Sequence, residues 1–249
     1  MIKEEEIFDI KINCFDYITL EESISLAIQN KRQIVICYAN FFTVNIAKND
    51  PKFRFIINSY DIIFPDGTGI WLGLKFRNKN TIKKRFNLTD YGFNLLNFFS
   101  KNKLSVFMLG GESDTLEESK VNIQSSIPGL SITGMLHGYT NKSADEIIAI
   151  INKSNPSILM VGLGTPKQEE WIYNNKNKIK SGVIISVGDL FALFAGTKKR
   201  GPNFIQFLGL EWMIRLVSNP HKYYKRYLLG IPKYLIYTIN EYIRLNKKS

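Results

Sequence analysis

One carboxylate stands out because it directly follows a predicted buried strand. Asp66 lies in the sequence Pro65-Asp66-Gly67, immediately after the apolar run of residues 60–64. A carboxylate at the end of a strand can face a ligand cleft and accept a proton, which is the role of a general base. The same three residues also form a strong turn signal, since proline and glycine favour tight turns. The sequence leaves both interpretations open, and the turn is the simpler one.

Asn40 holds the corresponding place after another predicted strand, residues 33–39. Asparagine at such a position is typical of a helix N-cap, where its side-chain oxygen accepts hydrogen bonds from backbone N–H groups. The same side chain could instead bind a sugar hydroxyl. Both interpretations of Asn40 remain open at this stage.

Two glycine-containing turns could hold a phosphate. The first covers residues 162–169, Gly-Leu-Gly-Thr-Pro-Lys-Gln-Glu, between an apolar run and a predicted helix. Small residues there let a phosphate approach the N–H groups of a helix N-terminus. The third glycine of a dinucleotide fingerprint is missing and Pro166 removes one N–H, so a plain turn is an equally good interpretation. The second candidate is Gly188-Asp189, after the apolar run of residues 182–187.

Metal-ligand spacings are absent from the sequence. Cys14 and Cys37 form no CxxC pair, and His137 and His221 have no partner at zinc-ligand spacing. No Asp-x-Asp occurs in the chain, although that is a usual carboxylate arrangement for holding a divalent ion on a nucleotide diphosphate. We therefore expect neither a metal site nor a cofactor.

The charge of the chain is concentrated near its C-terminal end. The net charge is +11 over 249 residues, and residues 197–249 alone carry +9 together with nine of the 32 aromatic side chains. This combination predicts a polyanionic surface as a partner. Nucleic acid and an anionic membrane leaflet are the two candidates, and a solvated helical tail is the alternative without a partner.

Alternation of apolar runs with amphipathic stretches predicts an α/β protein. Strands are expected over residues 33–39, 60–64, 104–109, 131–135, 157–161 and 182–187. Helices are expected over residues 20–30, 41–49, 91–102, 115–126, 144–153 and 167–178. From residue 105 onwards strands and helices alternate, which predicts a Rossmann-like, mostly parallel sheet with helices on both faces.

We divide the chain into an α/β core, residues 1–196, and a helical appendage, residues 197–249. Within the appendage we expect helices over residues 204–218 and 231–246, with breaks at residues 201–202, 219–220 and 230–232. Their broad apolar faces, flanked by Lys and Arg, fit a helix lying in a membrane interface and also fit an ordinary docked pair. No apolar run reaches the roughly 18–20 residues that a membrane-spanning helix needs.

An ordered set of motifs runs through residues 35–230 of the chain. It comprises residues 161–171, 186–191, 195–202, 209–215 and 219–220, preceded by Asn40, Pro65-Asp66-Gly67, Arg85, Asp90 and Gly110-Gly111. Together these motifs resemble the WecG/TagA/CpsF glycosyltransferase family. The resemblance implies an inverting, metal-independent transferase of bacterial surface-polysaccharide assembly. It would move N-acetylmannosamine, its uronic acid or a related hexose from a UDP-sugar to a polyprenyl-diphosphate-linked saccharide. The implied location is cytoplasmic, peripheral at the inner face of the cell membrane.

The resemblance also implies roles for individual residues. Asp66 matches the general base, and Arg215 matches an appendage arginine that closes over the diphosphate. Asn40 matches an asparagine beside the donor sugar, and Gln168 matches a glutamine of the pocket. The remaining implied substrate-binding residues are Arg85, Gly110, Gly162, Gly164, Asp189, Lys222 and Lys225.

Several positions depart from the family pattern. Lys222 and Lys225 stand where the family has arginines, and lysine keeps the charge but loses the bidentate geometry of a guanidinium. Ala192 stands where the family usually has an aspartate, whereas Asp189 replaces a glycine. Leu88 also replaces a glycine. The two departures at residues 189 and 192 change the side chains available for nucleotide contacts there.

Without a metal, an inverting transfer must take the positive charge for its departing diphosphate from basic side chains and backbone N–H groups. Residues 197–249 could supply that charge and also bind an anionic membrane surface. Two other functions remain open: an α/β nucleic-acid-binding protein with a basic tail, and a non-catalytic membrane scaffold. No nucleic-acid motif is present, so we expect no nucleic-acid partner. Whether the chain forms a homo-oligomer is left open by the sequence.

Overall fold

A six-stranded parallel sheet organises the structure and brings distant segments to one edge. The computed structural model describes residues 3–14, 16–77, 86–198, 201–202, 205 and 208–246. Within them the strand order of the sheet is β4-β3-β8-β7-β5-β6, and β1 and β2 form a separate antiparallel hairpin. The strands are β1 (Lys3–Ile7), β2 (Ile10–Cys14), β3 (Ile34–Ala39), β4 (Ile62–Pro65), β5 (Val106–Gly110), β6 (Ile132–Leu136), β7 (Ile158–Gly162) and β8 (Val183–Ser186).

Helices follow most strands of the sheet and cover both of its faces. In the core they are α1 (Tyr17–Gln29), α2 (Phe41–Asn49), α3 (Pro51–Asn58), α4 (Gly67–Arg77), α5 (Leu88–Lys101), α6 (Ser113–Ser126), α7 (Ala144–Ser154), α8 (Lys167–Asn175) and α9 (Leu190–Phe194). A 3-10 turn, Lys176–Lys178, extends α8. In the appendage they are α10 (Glu211–Ser218), α11 (Pro220–Tyr224) and α12 (Gly230–Asn246), with a π-helical segment, Lys225–Leu229, between the last two.

Strand side chains alternate between two apolar clusters, one on each face of the sheet. In β3, Cys37 and Ala39 belong to one cluster, whereas Ile36 and Tyr38 belong to the other. All six residues of β3 are buried, as expected for a central parallel strand with helices on both sides. The predicted α/β fold with a parallel sheet is confirmed, and each of the six predicted core strands is present within a few residues.

The elements not predicted from the sequence are the β1–β2 hairpin, α3, α4, α9, α11 and the π-helical segment. A usable signal existed for α3, because Asp50 and Pro51 are a typical helix start. The Oδ1 of Asp50 accepts the N–H groups of Lys52 and Phe53 at 2.9 and 3.1 Å. No such cap hydrogen bond marks α9, which has only five residues.

Two predictions for the appendage are wrong in their boundaries. Part of the helix predicted over 204–218, residues 204, 206 and 207, lies outside the described residues; beyond them Gly209 adopts a positive φ of 72°, and α10 begins only at Glu211. The predicted break at 230–232 is also absent, since the chain stays helical from Pro220 to Asn246. Proline normally clashes with the carbonyl one turn earlier. Here Pro232 is the third residue of α12, and Leu228, four residues earlier, lies in the wider π-helical segment, which relieves such clashes. The predicted break at 219–220 is confirmed.

The appendage packs against the core beside α2 and α4. Tyr234 of α12 is buried, its ring lies against Phe8 and Phe41, and its hydroxyl donates to the carbonyl of Gly69 at 2.9 Å. The Nδ2 of Asn45 donates to the carbonyl of Gly230 at 2.7 Å. These contacts hold the C-terminal helices next to the carboxyl edge of the sheet. No helix within the described ranges combines the length and the apolar character needed to cross a bilayer.

Candidate active site

A cavity of about 400 Å³ opens at the carboxyl edge of the sheet. Doubly wound sheets bind their ligands at this edge, and small-molecule sites are concave with a few convergent polar groups. The cavity wall combines the ends of β3, β4, β7 and β8 with α4 and the appendage. The polar and charged residues of the wall include Tyr38, Asn40, Asp66, Thr68, Asn87, Thr165, Asp189, Lys198, Glu211, Arg215, Arg226 and Tyr227.

The register of two strands brings Asp66 and Asn40 together. Ala39 at the end of β3 pairs with Pro65 at the end of β4, so the next residue of each strand lies side by side at the sheet edge. The Oδ1 of Asn40 accepts two backbone N–H groups of α2 at 3.0 and 3.1 Å, which makes Asn40 the N-cap of that helix. Its amide group donates a hydrogen bond to Asp66. Asn40 therefore caps a helix and orients the carboxylate.

Asp66 is a carboxylate whose proton affinity is set by opposing effects. Burial raises the pKa of Asp66, and hydrogen bonding together with nearby positive charge offsets part of that rise. The backbone N–H of Leu88 donates to Oδ1 at 3.3 Å, while Arg215 and Lys198 supply the positive charge. A carboxylate with a raised pKa is a stronger base than an exposed one. Asp66 thus has the environment that a general base requires.

Two cations of the wall lie near this carboxylate. Burial opposes the charge of Arg215, but Tyr227, Asp189 and Glu211 together outweigh it and raise the pKa of Arg215. Burial and the charge of Arg215 lower the pKa of Lys198 to about 8, against the attraction of its acidic neighbours. The Nζ of Lys198 lies 3.9 Å from Oδ2 of Asp189.

A third cation comes from the π-helical segment. The guanidinium of Arg226 lies 4.6 Å from the ring centroid of Phe42, a cation–π distance. Its Nε is buried and has no hydrogen-bond partner among the residues that the structure describes. Arginine presents several N–H donors in a plane that matches phosphate oxygens. The appendage therefore brings the cationic donors Lys198, Arg215 and Arg226 to the cavity wall.

A buried polar network lies beneath the cavity. The Nε2 of Gln168 donates to Oη of Tyr38 at 3.2 Å and to Oε1 of Glu169 at 2.7 Å, while its Oε1 accepts the N–H of Gly188 at 3.1 Å. Gln168 is fully buried and supports the wall from behind. Burial raises the pKa of Glu169 to about 7, and its Oε2 has no hydrogen-bond partner within the described chain.

Five of the predicted site residues line the cavity together: Asn40, Asp66, Gly164, Asp189 and Arg215. Gly110 and Gly162 lie outside its wall, at the ends of β5 and β7, where the backbones pack closely. A Cβ on Gly110 would collide with the carbonyl of Gly162, and a Cβ on Gly162 would lie 2.8 Å from the Phe191 ring. Their glycine identity is explained by this packing, and a ligand contact there remains a prediction.

Of the other predicted residues, Lys225 lies outside the cavity wall, and Arg85 and the side chain of Lys222 are not described. Lys225 is exposed and its Nζ lies 5.8 Å from the Tyr224 ring centroid, away from the cavity wall. Its neighbour Arg226 lines the cavity instead. Arg85 lies outside the described residues, and so does the side chain of Lys222. Roles for Arg85 and Lys222 stay predictions.

Four residues of the site are not predicted from the sequence: Tyr38, Lys198, Glu169 and Arg226. Lys198 lies in the motif of residues 195–202 but has no individual role predicted, and Arg226 is predicted only as a charge of the basic tail, since nothing in their local sequence separates them from neighbouring lysines and arginines. Among the residues described, no three His, Cys, Asp or Glu side chains are grouped as a metal ion would require.

Comparisons with known proteins give consistent matches. The sequence model of the "Glycosyl transferase WecG/TagA/CpsF family" matches residues 5–248. A protein of Bacillus subtilis (strain 168) is 32% identical over 222 residues, which cover 89% of this chain and 84% of that protein. A Bacillus spizizenii protein is 32% identical, with 76% of this chain and 72% of the relative covered. A Staphylococcus aureus (strain MW2) protein is 30% identical, with 77% and 74% covered. All three are named N-acetylglucosaminyldiphosphoundecaprenol N-acetyl-beta-D-mannosaminyltransferase.

Proposed function

The chain belongs to the WecG/TagA/CpsF family of glycosyltransferases, and we propose that it transfers N-acetylmannosamine or a closely related sugar from a UDP-sugar to an N-acetylglucosaminyl-diphosphoundecaprenol acceptor. The names of the three relatives contain this sugar and this acceptor. The observation that carries the proposal is the placement of Asp66 in one cavity with Lys198, Arg215 and Arg226. That combination offers a base for an acceptor hydroxyl and positive charge for a diphosphate.

The proposed reaction is a single displacement. The acceptor hydroxyl oxygen forms a bond to the anomeric carbon of the donor while the bond from that carbon to the diphosphate oxygen breaks. The hydroxyl proton passes to the Asp66 carboxylate, and the electron pair of the broken bond leaves with UDP. One displacement at the anomeric carbon inverts its configuration. Positioned base catalysis of this kind typically contributes about 10²–10⁴-fold to the rate.

The departing diphosphate needs compensation for the negative charge that develops on it. Donors fixed before the reaction in a cavity shielded from water are more effective than the same groups in bulk solvent. Arg215 is partly buried, keeps its charge, and lies near Asp66. The buried Nε of Arg226 is a further available donor. We propose that these side chains act in place of a divalent ion.

A lipid-linked acceptor requires the cavity to lie near a membrane surface. Most of the large hydrophobic side chains that the structure exposes belong to the appendage: Leu208, Met213, Val217, Tyr224, Leu228, Leu229, Leu235, Ile236, Ile239, Tyr242 and Ile243. Exposed apolar residues interspersed with lysine and arginine are typical of interfacial helices. We propose that residues 208–243 dock on the anionic cytoplasmic leaflet and present the cavity to the acceptor.

Transfer is tested with UDP-N-acetylmannosamine and a short-chain polyprenyl-diphosphate N-acetylglucosamine, with UDP-glucose and UDP-N-acetylglucosamine as comparison donors. We expect product from the first donor, an inverted anomeric configuration by NMR, and unchanged turnover in excess EDTA. A retained configuration would refute the single displacement. Loss of turnover in EDTA, restored by added Mg²⁺, would refute metal independence.

Membrane docking is tested separately by flotation with liposomes that contain anionic lipid. Leu229 on the appendage and Val121 on α6 are both exposed aliphatic residues, so they form a matched pair. Leu229→Ser should reduce liposome binding and turnover of the long-chain acceptor, while Val121→Ser should change neither. Equal behaviour of the two variants would contradict docking through the appendage.

A further inference from the structure

Lys198, the second residue of the appendage, brings an ammonium group into the cavity from a position ahead of the appendage helices. Its backbone N–H donates to the carbonyl of Ala192 at 2.9 Å, and the Oγ1 of Thr197 donates to the same oxygen at 3.1 Å. These bonds fold the chain back over α9. The side chain of Lys198 lies in the cavity wall and is only 13% exposed.

The burial of this ammonium is poorly compensated. Its ion contact within the described chain is to Asp189, at 3.9 Å, which is longer than the roughly 2.7–3.2 Å of a hydrogen bond. An ammonium has three N–H donors, and burying it without partners is costly. Lys198 therefore retains capacity to bind an anionic group that enters the cavity.

The charges around Lys198 indicate what kind of anion this is. Arg215 faces the same cavity, and its charge disfavours the protonated lysine, whereas Asp189, Asp66 and Glu211 favour it. Two cations that repel each other across one cavity are both stabilised by a ligand that carries several negative charges. A diphosphate spreads its charge over oxygens that two side chains can reach together.

We propose that Lys198 is a catalytic residue that binds a non-bridging oxygen of the donor diphosphate and stabilises the charge that develops as the bond to the anomeric carbon breaks. This proposal rests on the proposed function and adds a diphosphate contact from the start of the appendage, beside α9. Asp189 holds the ammonium near the cavity until the ligand arrives. Lys198 remains protonated throughout the displacement, so its contribution is electrostatic.

The test compares the binding of UDP, UMP and uridine to the wild-type protein and to Lys198→Met by calorimetry. Methionine keeps the length and apolar stem of lysine and removes the charge. We expect UDP affinity to fall by about 10- to 100-fold, the range for a hydrogen bond to a charged group, and uridine affinity to change less than about threefold. Turnover should fall through kcat as well as KM. Lys178→Met, an exposed lysine of the 3-10 turn near the opposite edge of the sheet, is the charge control.

A second experiment measures the protons that the protein takes up when UDP binds. Because the pKa of Lys198 is about 8 in the free protein, a bound diphosphate should draw a proton onto it at pH 8. Calorimetry in two buffers of different ionisation enthalpy should show proton uptake on UDP binding for the wild type and none for Lys198→Met. Lys198→Arg should restore UDP affinity without proton uptake, since arginine stays charged.

The outcomes separate this inference from the function on which it rests. If the wild type binds none of the three ligands, the proposed function fails. If the wild type binds UDP and Lys198→Met binds it equally well, the assignment of Lys198 is overturned. An equal loss for UDP, UMP and uridine would show that Lys198 only maintains the cavity, and this would also overturn the assignment. Circular dichroism of each variant checks its folding.

Discussion

Glu169 allows a quantitative test of the buried network beneath the cavity. Burial raises the pKa of Glu169 from 4.5 to about 7. Between pH 4.5 and pH 7, Glu169 is therefore protonated in the folded protein and ionised in the unfolded chain. The native state then binds more protons than the unfolded state, and stability falls as pH rises through this window. One pKa unit corresponds to about 1.4 kcal/mol. Integrated from pH 5 to pH 8, the loss is about 2.5 kcal/mol.

Glu169→Gln removes the ionisation while keeping the shape of the side chain. The NH₂ group of the glutamine replaces Oε2, an oxygen without a described partner. The free-energy cost of burying this NH₂ group is the same at every pH. The difference in the free energy of unfolding, variant minus wild type, should therefore rise by about 2–3 kcal/mol between pH 5 and pH 8. Urea unfolding followed by tryptophan fluorescence and circular dichroism measures it.

The control is Glu146→Gln in the exposed capping box of α7. The backbone N–H and hydroxyl of Ser143 lower the pKa of Glu146, so its ionised form stabilises the fold and the variant should lose stability. A Glu169→Gln difference that stays the same at pH 5 and pH 8 would refute a neutral buried Glu169. The network would then hold an ionised carboxylate.

Three further predictions concern catalysis, the cavity wall and the appendage. The pH profile of kcat/KM should be bell-shaped. Its acid limb should lie above pH 3.8, the ordinary pKa of an aspartate, because burial raises the pKa of Asp66. Its alkaline limb should lie near pH 8, the pKa of Lys198, and Lys198→Arg should move this limb to higher pH. Gly188→Ala should lower the free energy of unfolding by more than about 1 kcal/mol, measured by urea titration, because Gly188 has a φ of 54° and an added Cβ would lie 2.5 Å from Oη of Tyr38. Tyr234→Phe should lower the free energy of unfolding by about 1 kcal/mol, because it removes the hydrogen bond to the carbonyl of Gly69. An unchanged free energy of unfolding in urea titration would show that this bond does not help to anchor α12.

The parallel sheet and part of the site could be predicted because the responsible signals are local. Buried β-runs with intervening amphipathic helices identify a parallel sheet, and the carboxyl ends of such strands meet at one edge. That reasoning places Asn40, Asp66 and Asp189 in one cavity. It also explains why two interpretations of Asn40 were both defensible, since a helix cap and a polar group facing the cavity occur at the same strand end.

The remaining site residues depend on tertiary packing that no local pattern encodes. Lys198 and Arg226 are distinguished from other basic residues only by the way the chain folds back over α9 and across α2. The helix that continues through Pro232 was missed for a similar reason, because a π-helical turn ahead of a proline has no sequence signature in a single chain. Gly162 begins a predicted phosphate-binding turn and Gly110 is a substrate-binding residue only by resemblance, yet close backbone packing already requires glycine at both positions.

In the proposed reaction Asp66 takes the acceptor proton while cationic side chains hold the diphosphate. Single-turnover transfer by Asp66→Asn tests it most directly, with the exposed Asp114→Asn of α6 as the control. Asparagine keeps the shape but cannot accept the proton, so the transfer rate should fall by about 10²–10⁴-fold while UDP affinity changes less than about threefold. A variant that keeps more than a tenth of the wild-type rate would contradict the account.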